Sequence, residues 1–368
     1  MTDSPATGAS DVLGGSDLAE TAEQVEERPR RDRTWWLLVL LLLLLLLGCV
    51  LMQLLFAGRR GPIVAPPHTG LENAFGIYGL NEPRGVSAGP DGDITVSDTG
   101  AQRAYLYDRN GVLQTRLGGD LPADRVFSVA GSWTDEDVVY VCDWGLGRVW
   151  VFSHDGSVIG FFPEDPTPAV YGAGGFYPYD VAPFEDDLLV STRTGIFRFD
   201  GSTLELEGRF DETPVGGRPL DHVTGIAVDP EGEYVWAVDS FNRRLIAYDT
   251  NGAPVWSLGR PDEDGEIVSF FALPRDVVYI DRGVLVSDAF RHELYLFDRE
   301  GGFLGIYGER GVADAQFNFP EGMAVAPDGL LHVADRANDR VQVLIVGDPV
   351  EPRGEMAKKW EEDHVRYD

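Results

Sequence analysis

An aspartate is followed five residues later by an arginine at four places in the 368-residue chain: Asp98–Arg103, Asp143–Arg148, Asp239–Arg244 and Asp335–Arg340. Carboxylates can serve as acid–base groups or metal ligands, but opposite charges facing each other across a hairpin simply attract. Repetition decides between these uses. A catalytic group is needed once, whereas a structural pair recurs with the unit that carries it, so these eight residues are read as structural ion pairs. The chain has no HExxH or Walker pattern.

The pairs are markers of a repeat. The first member stands at Asp98, Asp143, Thr192, Asp239, Asp288 and Asp335, so the steps are 45, 49, 47, 49 and 47 residues. Around each marker the order is the same. An apolar strand such as "TGIAVD" meets a Gly- or acid-rich turn, a second strand reaches the marker, and a third alternates as in "RVWVF". A turn such as "DRNG" or "DTNG" then leads into a fourth strand. Period-two alternation with Asp/Asn-Gly turns signals antiparallel hairpins. Four strands repeated six times read as an all-β, six-bladed β-propeller.

"VADRANDRVQVL" resembles the NHL repeat, with its valine, small residue, Asp, Asn and Arg-Val in order. The resemblance runs over residues 74–347, fullest in the sixth unit and weakest in the third. The sixth unit lacks a fourth strand, while "FGIYG" at 75–79 belongs to no complete unit and matches the fourth strand of unit five, "GGFLGIYG". The expectation is that "FGIYG" closes the ring by pairing antiparallel with the strand around Arg340–Ile345, leaving no bare seam.

Blade-to-blade connections at 163–178, 211–223 and 260–273 are long and share a face with the turns after the markers. The residues entering each first strand should ring the channel there: Arg84, Phe127, Tyr179, Thr224, Arg275 and Glu321. Thr99, Trp144, Arg193, Ser240, Ala289 and Arg336 follow the markers. From these, Arg84, Phe127, Trp144, Tyr179, Arg193, Arg275, Glu321 and Arg336 are the ligand-binding candidates. Arginines with aromatics can grip a carboxylate, a sugar or a peptide.

Some propellers are enzymes, and the resemblance implies what they would need. The peptidylhydroxyglycine lyases resemble NHL propellers and hold zinc with several histidines. Here His292 falls at one such position, while Tyr179, Arg275 or Glu321 stand at the others, so His292 is expected at a hairpin surface. Lactonase-like propellers hold calcium; Glu321, with Asp180 and Asp276 nearby, could contribute, but Arg84 and Arg275 would oppose a dication. No metal or cofactor is expected, and a binding or sensor role for a protein, peptide or envelope glycan is preferred to a metal-dependent enzyme. Bacterial NHL ectodomains include the sensor part of a receptor-type kinase, which this chain resembles in that domain alone.

Residues 35–58, "WWLLVLLLLLLLLGCVLMQLLFAG", carry no charge and are long enough to cross a bilayer. Arg28, Arg30, Arg31 and Arg33 lie on the N-terminal side, which places residues 1–34 in the cytoplasm and the propeller outside the cytoplasmic membrane. "LLGC" at 46–49 resembles a lipobox, but no polar tether follows Cys49. Residues 1–34 read as a disordered acidic tail, 59–73 as a stalk, and 348–368 as a tail with a short helix containing Met356 and Trp360. The net charge of −31 excludes nucleic acid as a partner.

Overall fold

The second strand of a blade is pressed between neighbouring blades, so its sequence is continuously apolar rather than alternating. "ITVSD", "VWAVD" and "LHVAD" are buried at every position. The fourth strands lie at the rim and meet solvent along their length until a buried last residue, as in "LQTRL" and "VIGFF". The computed structural model describes Leu40, Leu44, Leu47 and residues 70–118, 128–172, 174–210, 218–261, 267–350 and 364–367.

Six antiparallel four-stranded units follow one another. Blade 1 comprises β2 (Pro83–Ala88), β3 (Ile94–Asp98), β4 (Arg103–Tyr107) and β5 (Leu113–Leu117). Blade 2 comprises β6 (Val129–Thr134), β7 (Val138–Asp143), β8 (Arg148–Ser153) and β9 (Val158–Phe162). Blade 3 comprises β10 (Pro178–Phe184), β11 (Asp187–Thr192), β12 (Ile196–Asp200) and β13 (Leu206–Phe210). Blade 4 comprises β14 (Val223–Val228), β15 (Val235–Asp239), β16 (Arg244–Tyr248) and β17 (Pro254–Leu258). Blade 5 comprises β20 (Pro274–Ile280), β21 (Gly283–Asp288), β22 (Glu293–Phe297) and β23 (Phe303–Tyr307). Blade 6 takes β24 (Pro320–Val325), β25 (Leu331–Asp335) and β26 (Arg340–Val346) from the end of the repeat, and β1 (Leu71–Tyr78) from its beginning.

The closing strand pairs Phe75 with Val343, Gly76 with Gln342, Ile77 with Val341 and Tyr78 with Arg340. It begins at Leu71, so three residues expected in the stalk belong to the blade. The core is distributed as six apolar clusters, one at each blade junction. The cluster between blades 6 and 1 includes Ile77 and Leu80, so the seam is packed like every other junction.

The chain end runs along the outer edges of two blades. Val350 bridges Ile306 on the outer edge of blade 5. Then β27 (His364–Arg366) adds a fifth strand to blade 4, with Trp256 opposite Arg366 and the Tyr367 hydroxyl 2.7 Å from the Ser257 Oγ. Residues 351–363, with Met356 and Trp360, lie outside the described residues. The long connections hold a four-residue helix, α1 (Pro168–Tyr171), and a small ladder of β18 (Arg260–Pro261) on β19 (Ile267–Val268).

The chain divides into two units, Met1–Ala65 and Pro66–Asp368. Of the apolar run 35–58, only Leu40, Leu44 and Leu47 are described; they are helical and exposed. Among the described residues no helix is long and apolar enough to cross a membrane.

Candidate functional site

Each innermost strand breaks register near its start. Pairing jumps from Pro83 to Gly85, Pro178 to Asp180, Val223 to Gly225 and Pro274 to Asp276; in blades 2 and 6 it skips two residues, from Val129 to Ser132 and Pro320 to Met323. A residue bulged out of the ladder is re-aimed, and bulges gather beside functional sites for that reason. The bulged residues are Arg84, Tyr179, Thr224, Arg275 and Glu321, all of which line one cavity of about 460 Å³ in the channel.

The blade 2 expectation is corrected by this register. Val129, not an earlier residue, stands opposite the marker Asp143, so Ala130 holds the ring position. Phe127 lies outside the described residues. Trp144 lines the cavity, joined by His222 and Phe241, which the sequence reading had not singled out. Arg193 and Arg336 are not in its wall. Arg193 reaches Asp221 at 3.7 Å, and Arg336 stands behind Glu321 at 3.5 Å.

The mouth therefore has two halves. Blades 5, 6 and 1 bring Arg275, Arg336 and Arg84 around one carboxylate, Glu321. The Nε of Arg275 donates to Glu321 Oε2 at 2.9 Å, and its Nη1 donates to the Ser240 Oγ at 3.3 Å. Arg84 has no hydrogen-bond partner among the described residues, and its Nε is buried. Burial lowers the Arg84 pKa; Glu321 opposes that shift, while Arg275 and Arg336 add to it. Blades 2, 3 and 4 bring aromatics instead. Tyr179 lies 5.5 Å from the His222 ring, which stacks on Phe241 at 3.8 Å. Burial raises the Tyr179 pKa, against the charges of Arg275 and Arg193.

Below the rim sit two carboxyls in equivalent positions. Asp180 accepts the Ile226 N–H at 3.1 Å, and Asp276 accepts those of Met323 at 2.6 Å and Val277 at 2.8 Å. Each ties its innermost strand to the next blade. The preceding blade has glycine at the corresponding place, because a Cβ on Gly131 would lie 2.2 Å from Asp180 Oδ1, and one on Gly225 2.2 Å from Asp276 Oδ1. Burial raises the Asp180 pKa well above the carboxylate range, with the Asp276 charge adding to it. Burial pushes Asp276 up to about 7, against its two N–H donors and Arg275.

The marker aspartates act chiefly as loop clamps. Asp98 accepts the Asn81 N–H, Asp143 that of Ser128, Asp239 that of Asp221, Asp288 those of Ala272 and Leu273, and Asp335 that of Asn318. Two of the four expected ion pairs form, Asp239–Arg244 at 2.7 Å and Asp335–Arg340 at 2.8 Å. In blade 1, Arg103 instead donates to the neighbouring Gln102 carbonyl. In blade 2, the Trp150 Nε1 donates to Asp143, and Arg148 lies over the rings of Trp150 and Phe161. A flat indole there offers both a donor and a cation-binding face, so the arginine stacks. His292 is not at the surface: it is buried, and its Nδ1 accepts the Phe319 N–H at 3.1 Å. Among the described residues no group of three or more His, Cys, Asp or Glu is placed to hold a metal ion.

Residues 317–344 match the family model of the NHL repeat. That segment spans β24, β25 and most of β26, where the sequence signature is fullest. Human NHL repeat-containing protein 3 is 25% identical over 276 residues, covering 68% of this chain and 68% of its own length. The mouse protein is 26% identical over 258 residues, covering 63% and 64%. The chain thus spans about two thirds of the length of these NHL-repeat relatives. Among solved structures, a streptogramin B lyase superposes with a TM-score of 0.52 at 12% identity, over 75% of this chain and 97% of that one. Virginiamycin B lyase from Staphylococcus aureus gives 0.52 at 13%, over 74% and 98%. Such low identities speak for the propeller fold alone.

Proposed function

We propose that this protein is a binding protein, anchored in the cytoplasmic membrane by residues 35–58, that holds a protein, peptide or envelope-glycan partner outside the cell on the loop-bearing face of its propeller. The observation that carries the reading is the divided mouth, with arginines on one arc and aromatics on the other. Phe241 and Phe290 stand on that face 52% and 58% exposed. Aromatic and arginine side chains supply a large share of binding energy where proteins meet partners. The similarity to NHL repeat-containing proteins supports an interaction scaffold. The uncharged run and the arginines before it support the anchor and its direction.

A metal-dependent enzyme would need donors that are free to bind, and two of the candidates are engaged. Glu321 is shared by Arg275 and Arg336, and His292 has its Nδ1 committed to the backbone. A photo-reactive phenylalanine analogue placed at Phe241 or Phe290 of the full chain in cells tests the binding reading. Adducts should form there and not from the same analogue at Glu136, on the opposite, short-turn face. Equal yields from both faces, or adducts from Glu136 alone, would refute it.

A further inference from the structure

We propose that the channel mouth recognises a single carboxylate carried next to a flat ring or similar apolar group, with Arg84 as the residue that takes the carboxylate. The inference rests on the mouth being the binding face and adds the chemistry of what enters it. Three observations carry it.

The first is Arg84 itself. It lines the cavity and has no hydrogen-bond partner among the described residues, whereas Arg275 is held by Glu321 and Ser240. A partly buried guanidinium with five donors and no acceptor is costly, and such groups call for an explanation. The second is the charge count at that arc. Arg84, Arg275 and Arg336 surround Glu321, and with Glu82 also acting on Arg84 three positive charges meet two negative ones there, a local positive excess in a chain of net charge −31. A local excess of that kind suits an anion. The long-range field of the whole molecule opposes multiply charged anions more than singly charged ones, which favours a carboxylate over a phosphate dianion. The third is the other half of the same cavity, where Tyr179, His222 and Phe241 form a tier of rings. A ligand that puts its carboxylate at Arg84 has these rings across the channel to lie against.

The test uses the full chain and the probe N-benzoylglycine, with N-benzoylglycinamide and phenyl phosphate as companions. N-benzoylglycine should raise the melting temperature at millimolar concentration, and the amide should bind about tenfold more weakly or worse. Arg84→Met should melt no lower than the wild type without any probe, because it removes an unpartnered buried charge, and should lose the response to N-benzoylglycine. Arg84→Lys should keep part of it. An amide as effective as the acid, a response only to phenyl phosphate, no response to N-benzoylglycine, or an Arg84→Met protein that melts lower and still responds would each overturn the proposal. If probes fail while crosslinks still form at Phe241, the partner reading stands and this one falls; the reverse result sinks the partner reading alone.

Discussion

Asp276 accepts two backbone N–H groups and lies beneath Arg275, yet burial lifts its pKa to about 7. Its folded pKa is above the unfolded value near 3.9, so the folded state holds the proton more tightly. The stability it contributes is complete below that unfolded value and is lost as pH rises through about 7. Asp276→Asn replaces one acceptor with an NH₂ group facing a donor, a cost of about 1–3 kcal/mol. The wild type should therefore melt higher than Asp276→Asn at low pH, and the gap should narrow as pH rises toward 8. A gap independent of pH would show that Asp276 does not titrate in this range. His332 has the opposite sign. It is buried, its Nδ1 has no partner among the described residues, and burial pushes its pKa down to about 4. Its folded pKa is below the unfolded value of about 6.5, so stability is lost as pH falls between those values. His332→Leu should recover on the order of 2 kcal/mol near pH 5 and less above pH 7, read from denaturant melts at the two pH values.

At the scale of elements, much of the architecture was legible because it repeats. Six markers at near-equal steps give six blades, and the orphaned "FGIYG" gives the closing strand, which the structure pairs through Ile77 with Val341 and Phe75 with Val343. What did not repeat was not legible. Phe127 stood as the ring residue of blade 2 because Val129 matches Val86 in pattern, whereas in the ladder Val129 faces the marker Asp143 as Pro83 faces Asp98, and β6 then skips two residues where β2 skips one. Sequence patterns do not report bulge size. The strand β27 is three residues long, too short for any alternation, and its pairing depends on an open edge on β17. The indole donor at Asp143 was hidden because the Asp–Arg spacing is intact there. The closing strand gives its own prediction. A chain beginning at Leu80 loses β1, exposes the edge of β26 and opens the blade 6–1 cluster. It should be aggregation-prone or unfold at lower temperature, whereas one beginning at Gly61 should melt cooperatively. Equal melting of the two would remove the closure from the stability argument.

Within the propeller, charge is sorted over short distances. The short-turn face carries acidic groups such as Asp135–Asp137, Glu185–Asp187 and Asp229, Glu231 and Glu233, the last three drawn onto Arg299 of the next blade. Arg84 and Arg275 line the mouth, with Arg336 held on Glu321 and Arg193 on Asp221 outside its wall. The candidate site was partly legible for the same reason as the fold: the ring positions repeat, so their residue types could be read off. His222 and Phe241 were missed because they stand one residue before the first strand and two after the marker, just outside the ring positions that the repeat picks out. The contrast between net and local charge gives a salt prediction. The field of the −31 net charge is screened beyond about 8 Å at physiological ionic strength, whereas contacts inside the cavity are screened less. The association rate of N-benzoylglycine should hold or rise, not fall, as salt increases from low to physiological strength, measured by stopped-flow.

The most direct measurement is a crystal structure of the full chain grown with N-benzoylglycine. The carboxylate should lie within hydrogen-bond distance of Arg84, with the benzoyl ring against Tyr179, His222 or Phe241. A probe bound on the short-turn face or the outer blade edges, or a mouth that holds only water at a saturating concentration, would contradict the assignment of the channel mouth as the binding site.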